Sequence, residues 1–124
     1  DATAAAGMPD GEYHLGHGDA AQRVRKCLGA VRLADGTLAG SALTLDQALR
    51  NLVGLGLSFA EASRRLSGIA AEYLGLTDRG RLIVGACADI VTLDRDLRVC
   101  AVHVEGEFVR PHTSEAWATE RGAR

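Results

Sequence analysis

The first residue, Asp1, is the strongest candidate for a catalytic group in this chain of 124 residues. It is followed by a run of small residues, 2–7, which would leave room for a substrate beside the carboxylate. Such a run suits the point where a barrel strand gives way to its active-site loop. The alternative is that Asp1 is a solvated chain terminus. A placed carboxylate can accept and return a proton, so Asp1 is a candidate catalytic group that the rest of the chain must support.

A second segment with possible binding chemistry is DGTLAGS, residues 35–41. Within it, Leu38, Ala39 and Gly40 could present backbone groups to a polar ligand with little side-chain obstruction. The alternative is a turn that leads into the next helix, because Asp and Gly favour turns.

The histidines and cysteines do not follow a metal-binding pattern. His14 and His17 are three residues apart in a glycine-rich segment without an acidic partner at ligand spacing, which favours a solvated loop over a metal site. Cys27, Cys87 and Cys100 are widely spaced and contain no CxxC pair, so neither a zinc site nor a disulfide framework is indicated. We predict no metal ligands in this chain and a reducing, cytoplasmic location.

Composition narrows the class of partner. Fourteen Lys and Arg balance sixteen Asp and Glu, for a net charge of −2, and this balance gives no basic stripe for nucleic acid. Aromatic residues make up only 4%, too few for base-stacking platforms. Charges interrupt every apolar run, so no membrane span is expected. A small-molecule partner is the remaining expectation.

The local patterns predict strands, then two helices, then strands. The glycine-punctuated first third favours short hairpin strands near residues 13–15, 22–24 and 30–33. Apolar residues at helical spacing from Thr44 predict an amphipathic helix. A second helix is predicted from the capping residue Ser58 to about Leu74.

Three short apolar stretches in 90–109 predict an antiparallel three-stranded meander. A sheet of three strands is marginal alone, so we expect it to complete a larger sheet built by other residues. The chain also starts without Met or an export-like segment, and we expect it to be part of a longer protein. Alone, it is predicted to be poorly stable or oligomeric.

Three patterns together resemble the C-terminal part of N-acetylglucosamine-6-phosphate deacetylases, members of the amidohydrolase superfamily. The first is Asp1-Ala2-Thr3 with Ala6-Gly7 behind it. The second and most specific is 35–41 with Leu43-Thr44-Leu45 and RNLV at 50–53. The third, LGL at 74–76 followed by RGRL at 79–82 and ADIV at 88–91, is shared by many amidohydrolases.

This resemblance implies an α/β fold: the C-terminal portion of a metal-dependent (β/α)8 barrel plus closing strands of a small β-sandwich domain. It implies that 1–75 end the catalytic barrel, 76–110 form sandwich strands and 111–124 are a surface tail. The complete enzyme would be a cytoplasmic homo-oligomer, a dimer or tetramer. Its divalent metal (Zn, Fe, Mn or Co) would be held by residues upstream of this chain.

The implied reaction is hydrolysis of N-acetylglucosamine 6-phosphate to acetate and glucosamine 6-phosphate. Asp1 matches the family's catalytic aspartate, and Leu38, Ala39 and Gly40 match its substrate-contacting segment. The fragment alone is expected to be inactive. Two alternatives remain: another amidohydrolase, such as a dihydroorotase-like or imidazolone-hydrolysing enzyme, or a non-catalytic interaction module.

Overall fold

The computed structural model describes residues 2–18 and 21–109. These residues form two compact units that divide between Thr44 and Leu45. The predicted surface tail, 111–124, and the predicted catalytic residue, Asp1, lie outside the described residues. Each unit contains one antiparallel sheet, and the helices belong to the second unit.

The first unit is built on a four-stranded antiparallel meander in the order β1-β2-β3-β4. The strands are β1 (Gly11–Leu15), β2 (Gln22–Cys27), β3 (Ala30–Leu33) and β4 (Leu38–Ser41). The three predicted hairpin strands are therefore confirmed. Residues 38–40 of the candidate contact segment are part of strand β4 and not of a turn into the next helix, because the tight turn before them returns the chain directly onto β3.

The core of the first unit consists of Ala5, Val24 and Val31, which are at most 1% exposed. Val24 and Val31 project from one face of the sheet, and Ala5 covers them from the turn that precedes β1. A side chain larger than Ala would not fit at a fully buried position of this kind without shifting its neighbours. The small residues after Asp1 thus allow close packing against the sheet, in addition to any room that they leave beside the carboxylate.

The second unit begins with α1 (Leu45–Gly54), where the predicted helix was placed. Next come α2 (Phe59–Ser63), a π-helical turn (Arg64–Gly68) and α3 (Ile69–Tyr73). The Oγ atom of Ser58 accepts the backbone N–H of Glu61 at 3.2 Å, which confirms the predicted N-cap.

The π-helical turn was not predicted, and it changes which side chains are buried. Its hydrogen bond runs from the Ile69 N–H to the Arg64 carbonyl, five residues back. The wider turn moves the buried face along the sequence by about one residue, so Ala71 is buried while Ala70 is exposed. Ala70 follows Ala62 and Leu66 at ordinary helical spacing, so this spacing alone would place it on their face of the helix.

Gly68 and Gly80 allow two backbone segments to touch within the second unit. A Cβ atom added at Gly80 would lie 3.1 Å from the Cα of Gly68 and 3.0 Å from the Cβ of Ala71. Gly80 also has a φ of +73°, a conformation that favours glycine. The segment after α3 can therefore pack against the helix only because these positions carry no side chain.

The last described residues form a second antiparallel meander, β5-β6-β7, as predicted. Its strands are β5 (Ile90–Leu93), β6 (Val99–Val104) and β7 (Glu107–Val109). The turn between β6 and β7 has positive φ at Glu105 and Gly106, +52° and +86°. Such a pair is typical of the tight turns that match strand twist.

Arg79 links the start of β5 to the β6–β7 turn. Its guanidinium lies 2.6 Å from the Asp89 carboxylate and 3.1 Å from that of Glu105. Asp89 in turn accepts the backbone N–H of Glu105 at 2.8 Å. That hydrogen bond first, and the nearby Arg79 charge second, lower the pKa of Asp89.

The predicted α/β fold class is confirmed. The described residues form a small α/β structure with two antiparallel sheets. The barrel portion and the domain boundaries at 75 and 110 stay predictions. Within the described residues no helix is both long and apolar enough to cross a membrane.

Replacing Gly80 with Ala should destabilise the second unit more than the same change at Gly85. Both glycines have positive φ, +73° and +88°, so both variants carry backbone strain. Only the Cβ at position 80 meets neighbours below 3.4 Å, whereas nothing lies within 4 Å of one at 85. We expect an additional loss of about 1–3 kcal/mol for Gly80→Ala, measured by denaturant unfolding. Equal losses in the two variants would contradict the close backbone contact.

Candidate substrate-contact strand

The candidate site begins with the turn that connects β3 to β4. The Asp35 carboxylate accepts the Thr37 N–H at 2.9 Å, and the Gly36 N–H donates to the Leu33 carbonyl at 3.0 Å. Hydrogen bonds from the Thr37 backbone and then its side chain lower the pKa of Asp35. The guanidinium of Arg32 donates to the Gly36 carbonyl at 2.9 Å. The DGT part of the motif is therefore a turn-forming element.

The pairing of β3 with β4 contains a register shift at the predicted contact residues. Arg32 is opposite Leu38, and Ala30 is opposite Ser41. Two steps along β3, from 30 to 32, thus match three steps along β4, from 38 to 41. One extra residue on a strand is the pattern of a β-bulge, which leaves that residue outside the hydrogen-bonded ladder and re-aims the chain.

The extra residue lies at Ala39 or Gly40, between the two paired positions. Gly40 has a φ of +102°, a backbone conformation that residues with a Cβ rarely adopt. Ala39 packs against the core of the first unit, while Leu38 is 61% exposed. The bulge therefore offers backbone groups of 39–40 for hydrogen bonds to a ligand while a short side chain anchors the strand.

The segment that follows Asp1 runs beside the end of this strand. Ala2 forms an isolated parallel bridge with Ser41, and the Thr3 N–H donates to the Ser41 carbonyl at 2.8 Å. The Oγ atom of Ser41 accepts the Leu43 N–H at 3.0 Å, where the chain turns toward the first helix. The structure thus brings the neighbours of Asp1 next to the bulge, although Asp1 itself lies outside the described residues.

The other candidate residues are not gathered at this strand. His14 lies on β1 with an exposed side chain, a strand position and not the expected loop, and His17 is exposed beyond the strand. Cys27 and Cys100 are exposed and Cys87 is half-buried, and all three are free cysteines outside any disulfide.

Across residues 2–18 and 21–109, no three His, Cys, Asp or Glu side chains group closely enough to hold a metal ion. The described side chains therefore do not fit a metal centre, and no chemical step is assigned to one here.

Sequence reasoning singled out residues 38–40 as a candidate contact segment but missed the bulge. Its one available signal was the second glycine of the motif, Gly40, because a glycine inside a strand pattern suggests a bulge. The bridge between Ala2 and Ser41 joins residues 39 positions apart, and no local pattern predicts it.

No protein-family model matches the chain. N-acetylgalactosamine-6-phosphate deacetylase from Escherichia coli O157:H7 is 42% identical to it over 110 residues, which are 87% of this chain and 28% of that protein. A solved N-acetylglucosamine-6-phosphate deacetylase from Thermotoga maritima is also 42% identical, with a TM-score of 0.76 over 87% of this chain and 29% of that one.

A third similar protein is an N-acetyl-D-glucosamine-6-phosphate deacetylase variant from Mycobacterium smegmatis, solved in complex with N-acetyl-D-glucosamine-6-phosphate. It is 39% identical, with a TM-score of 0.69 over 86% of this chain and 28% of that one.

These similarities first define a class: the chain resembles deacetylases of N-acetylated amino-sugar 6-phosphates. Within the class, both solved structures are N-acetylglucosamine-6-phosphate deacetylases, which confirms the resemblance that the motifs indicated. The chain spans less than a third of these three proteins, and 64% of a further relative from Escherichia coli K12.

Asp35→Ala should lower the stability of the β3–β4 turn in a pH-dependent way. The folded-state pKa of Asp35 lies below its ordinary value of 3.8, so its stabilisation is present above that pH and is lost as the pH falls through the lowered pKa. We expect the gap in unfolding midpoint between wild type and Asp35→Ala to be larger at pH 7 than at pH 2–3. Asp35→Asn keeps an acceptor oxygen and should retain part of the stability. An Ala variant as stable as wild type at pH 7 would refute the role of this turn.

Gly40→Ala should impair both stability and substrate binding, with Gly36→Ala as the matched control. Both positions have positive φ, so each variant should lose about 1–3 kcal/mol of unfolding free energy. Only the change at Gly40 lies in the bulge, and we expect kcat/KM for the sugar phosphate to fall about tenfold or more in that variant alone. Steady-state kinetics on the full-length protein measures this. Equal kinetic losses in the two variants would remove the bulge from the site.

Proposed function

We propose that this chain forms part of a hydrolase that converts N-acetylglucosamine 6-phosphate to glucosamine 6-phosphate and acetate. The observation that carries the proposal is the bulged strand β4 beside the segment that follows Asp1. The 39–42% identity to deacetylases over most of the chain supports it.

Asp1 is proposed to move the proton in this reaction. Water attacks the carbonyl carbon of the acetamide, and the Asp1 carboxylate accepts the proton that the water loses. As the bond between that carbon and the sugar nitrogen breaks, Asp1 returns the proton to the nitrogen. The sugar then leaves as an amine, and the acyl group leaves as acetate.

Strand β4 is proposed to orient the sugar phosphate. At the bulge, backbone N–H and C=O groups of 38–40 can pair with hydroxyl and acetamide groups of the substrate. Gly40 permits close approach, and Ala39 holds the strand against the core. Contacts made through the backbone depend on the local fold and not on a particular side chain. A change in the backbone conformation of 38–40 would therefore weaken them.

The divalent metal implied by the resemblance would be held by residues outside this chain. Bound in the complete enzyme, it would polarise the carbonyl and lower the pKa of the attacking water. The residues described here would contribute positioning and, through Asp1, proton transfer. Dimeric or tetrameric assembly is likewise a proposal for the complete enzyme.

N-acetylgalactosamine 6-phosphate is the second candidate substrate. A relative named for that activity has the same 42% identity as the Thermotoga maritima glucosamine-type enzyme. The two sugars differ only in the configuration of one hydroxyl group. Ala39 and Gly40 have no polar side chain to sense that hydroxyl, so any discrimination on this strand would come from its backbone groups.

The decisive experiment is acetate release by the full-length protein from both sugar phosphates, compared with Asp1→Asn. We expect turnover of N-acetylglucosamine 6-phosphate and a loss of about 10²–10⁴-fold in kcat in the variant, because general acid and base catalysis contributes that much. Asp10→Asn is the matched control: the Asp10 carboxylate binds the Leu28 N–H at 3.1 Å and should leave kcat nearly unchanged.

Other outcomes separate the remaining alternatives. Turnover of dihydroorotate or an imidazolone without acetate release would favour another amidohydrolase. Full activity of Asp1→Asn would remove Asp1 from the mechanism. No turnover of any of these compounds by the metal-loaded full-length protein would favour the non-catalytic module.

A further inference from the structure

The face of the first sheet opposite the core carries a cluster of arginines. Arg25 on β2 is directly opposite Arg32 on β3, and Arg23 lies two residues from Arg25 on the same face. All three side chains are exposed. We call Arg23, Arg25 and Arg32 the arginine face.

The arginine face is poorly neutralised within its own sheet. Glu12 is the one acidic residue in the four strands; it is directly opposite Arg25 in the β1–β2 ladder, and its carboxylate is 4.0 Å from the Arg23 guanidinium. One carboxylate thus faces three guanidinium groups, and the like charges of Arg25 and Arg32 lie directly opposite each other, an arrangement that is unfavourable within a sheet. A surface of this kind attracts anions.

The arginine face continues into the candidate site. Arg32 is paired with Leu38, the first residue of the predicted substrate-contact segment. Paired residues of an antiparallel ladder project on the same side, so Arg25, Arg32 and Leu38 form one row across three strands. The positive charge therefore lies beside the bulged strand and on the exposed side of the sheet.

We infer that the arginine face steers the sugar phosphate toward strand β4. The inference rests on the proposed function, whose substrate carries a phosphate group of about −1.5 to −2 charges near neutral pH. Clustered charge of one sign raises the local concentration of an oppositely charged ligand and its rate of association. The arginines act before binding and touch no reacting atom.

The net charge of −2 gives no indication of the arginine face. Arg25 and Arg32 are seven residues apart, and only the β2–β3 register brings them together. The overall charge balance carries no information on a cluster that is assembled by strand pairing.

The test compares the double variant Arg23→Gln/Arg25→Gln with Arg81→Gln/Arg95→Gln in the full-length protein, and Arg32 is left unchanged because its guanidinium also holds the β3–β4 turn through the Gly36 carbonyl. Both doubles lower the net charge by two, and all four arginines are exposed. At about 10 mM salt, where charges act over about 30 Å, we expect kcat/KM for N-acetylglucosamine 6-phosphate to fall about threefold to tenfold in the first double alone. The value of kcat should stay unchanged, and the difference should disappear near 1 M salt, where charges act over about 3 Å.

Each result has a separate meaning. Equal kcat/KM values for wild type and the first double at low salt would overturn the steering role, as would an equal loss in the control double. A loss that persists at high salt or that appears in kcat would also overturn it, because it would indicate a structural effect. If the wild-type protein releases no acetate at all, the proposed function itself fails. If the wild-type protein is active and the first double variant is unaffected, only the steering role is rejected.

Discussion

The geometry of the candidate site depends on one extra residue in strand β4. The turn at Asp35 sets where β4 starts opposite β3, and the Ala2 bridge with the Thr3 hydrogen bond holds its other end at Ser41. Because both ends are held, the surplus residue must be accommodated between them, at 39–40. Gly40 adopts the positive φ that this requires. The same constraint brings the residues after Asp1 to the side of the bulge.

The second unit uses adjacent residues of the RGRL motif for two different contacts. Arg79 connects the Asp89 and Glu105 carboxylates, while Gly80 lets the backbone lie against Gly68. A longer side chain at 80 would push the segment away from the helix, and without Arg79 two carboxylates would lose their shared counter-charge. The motif that many amidohydrolases share thus has a structural role here. The chemistry is proposed for the other two motifs.

Charge in this protein is organised by strand pairing and not by composition. The near-neutral chain contains an arginine face on one sheet and a carboxylate pair around Arg79 in the other unit. The first is left largely uncompensated within its sheet, whereas the second is closely paired. That difference separates a surface available to a ligand from one that stabilises the fold.

The sequence by itself determined the first three hairpin strands, the two helical segments, the Ser58 cap, the C-terminal meander and the deacetylase resemblance. These follow from short-range periodicity, turn residues and contiguous motifs. Tertiary structure decided the bulge at 39–40, the pairing of Arg25 with Arg32, and the shift of burial from Ala70 to Ala71. The bulge and the arginine pair depend on the register between strands, and the burial shift depends on the number of residues in one helical turn. Register is set by contacts between distant residues, such as Ala2 with Ser41, which no local pattern contains.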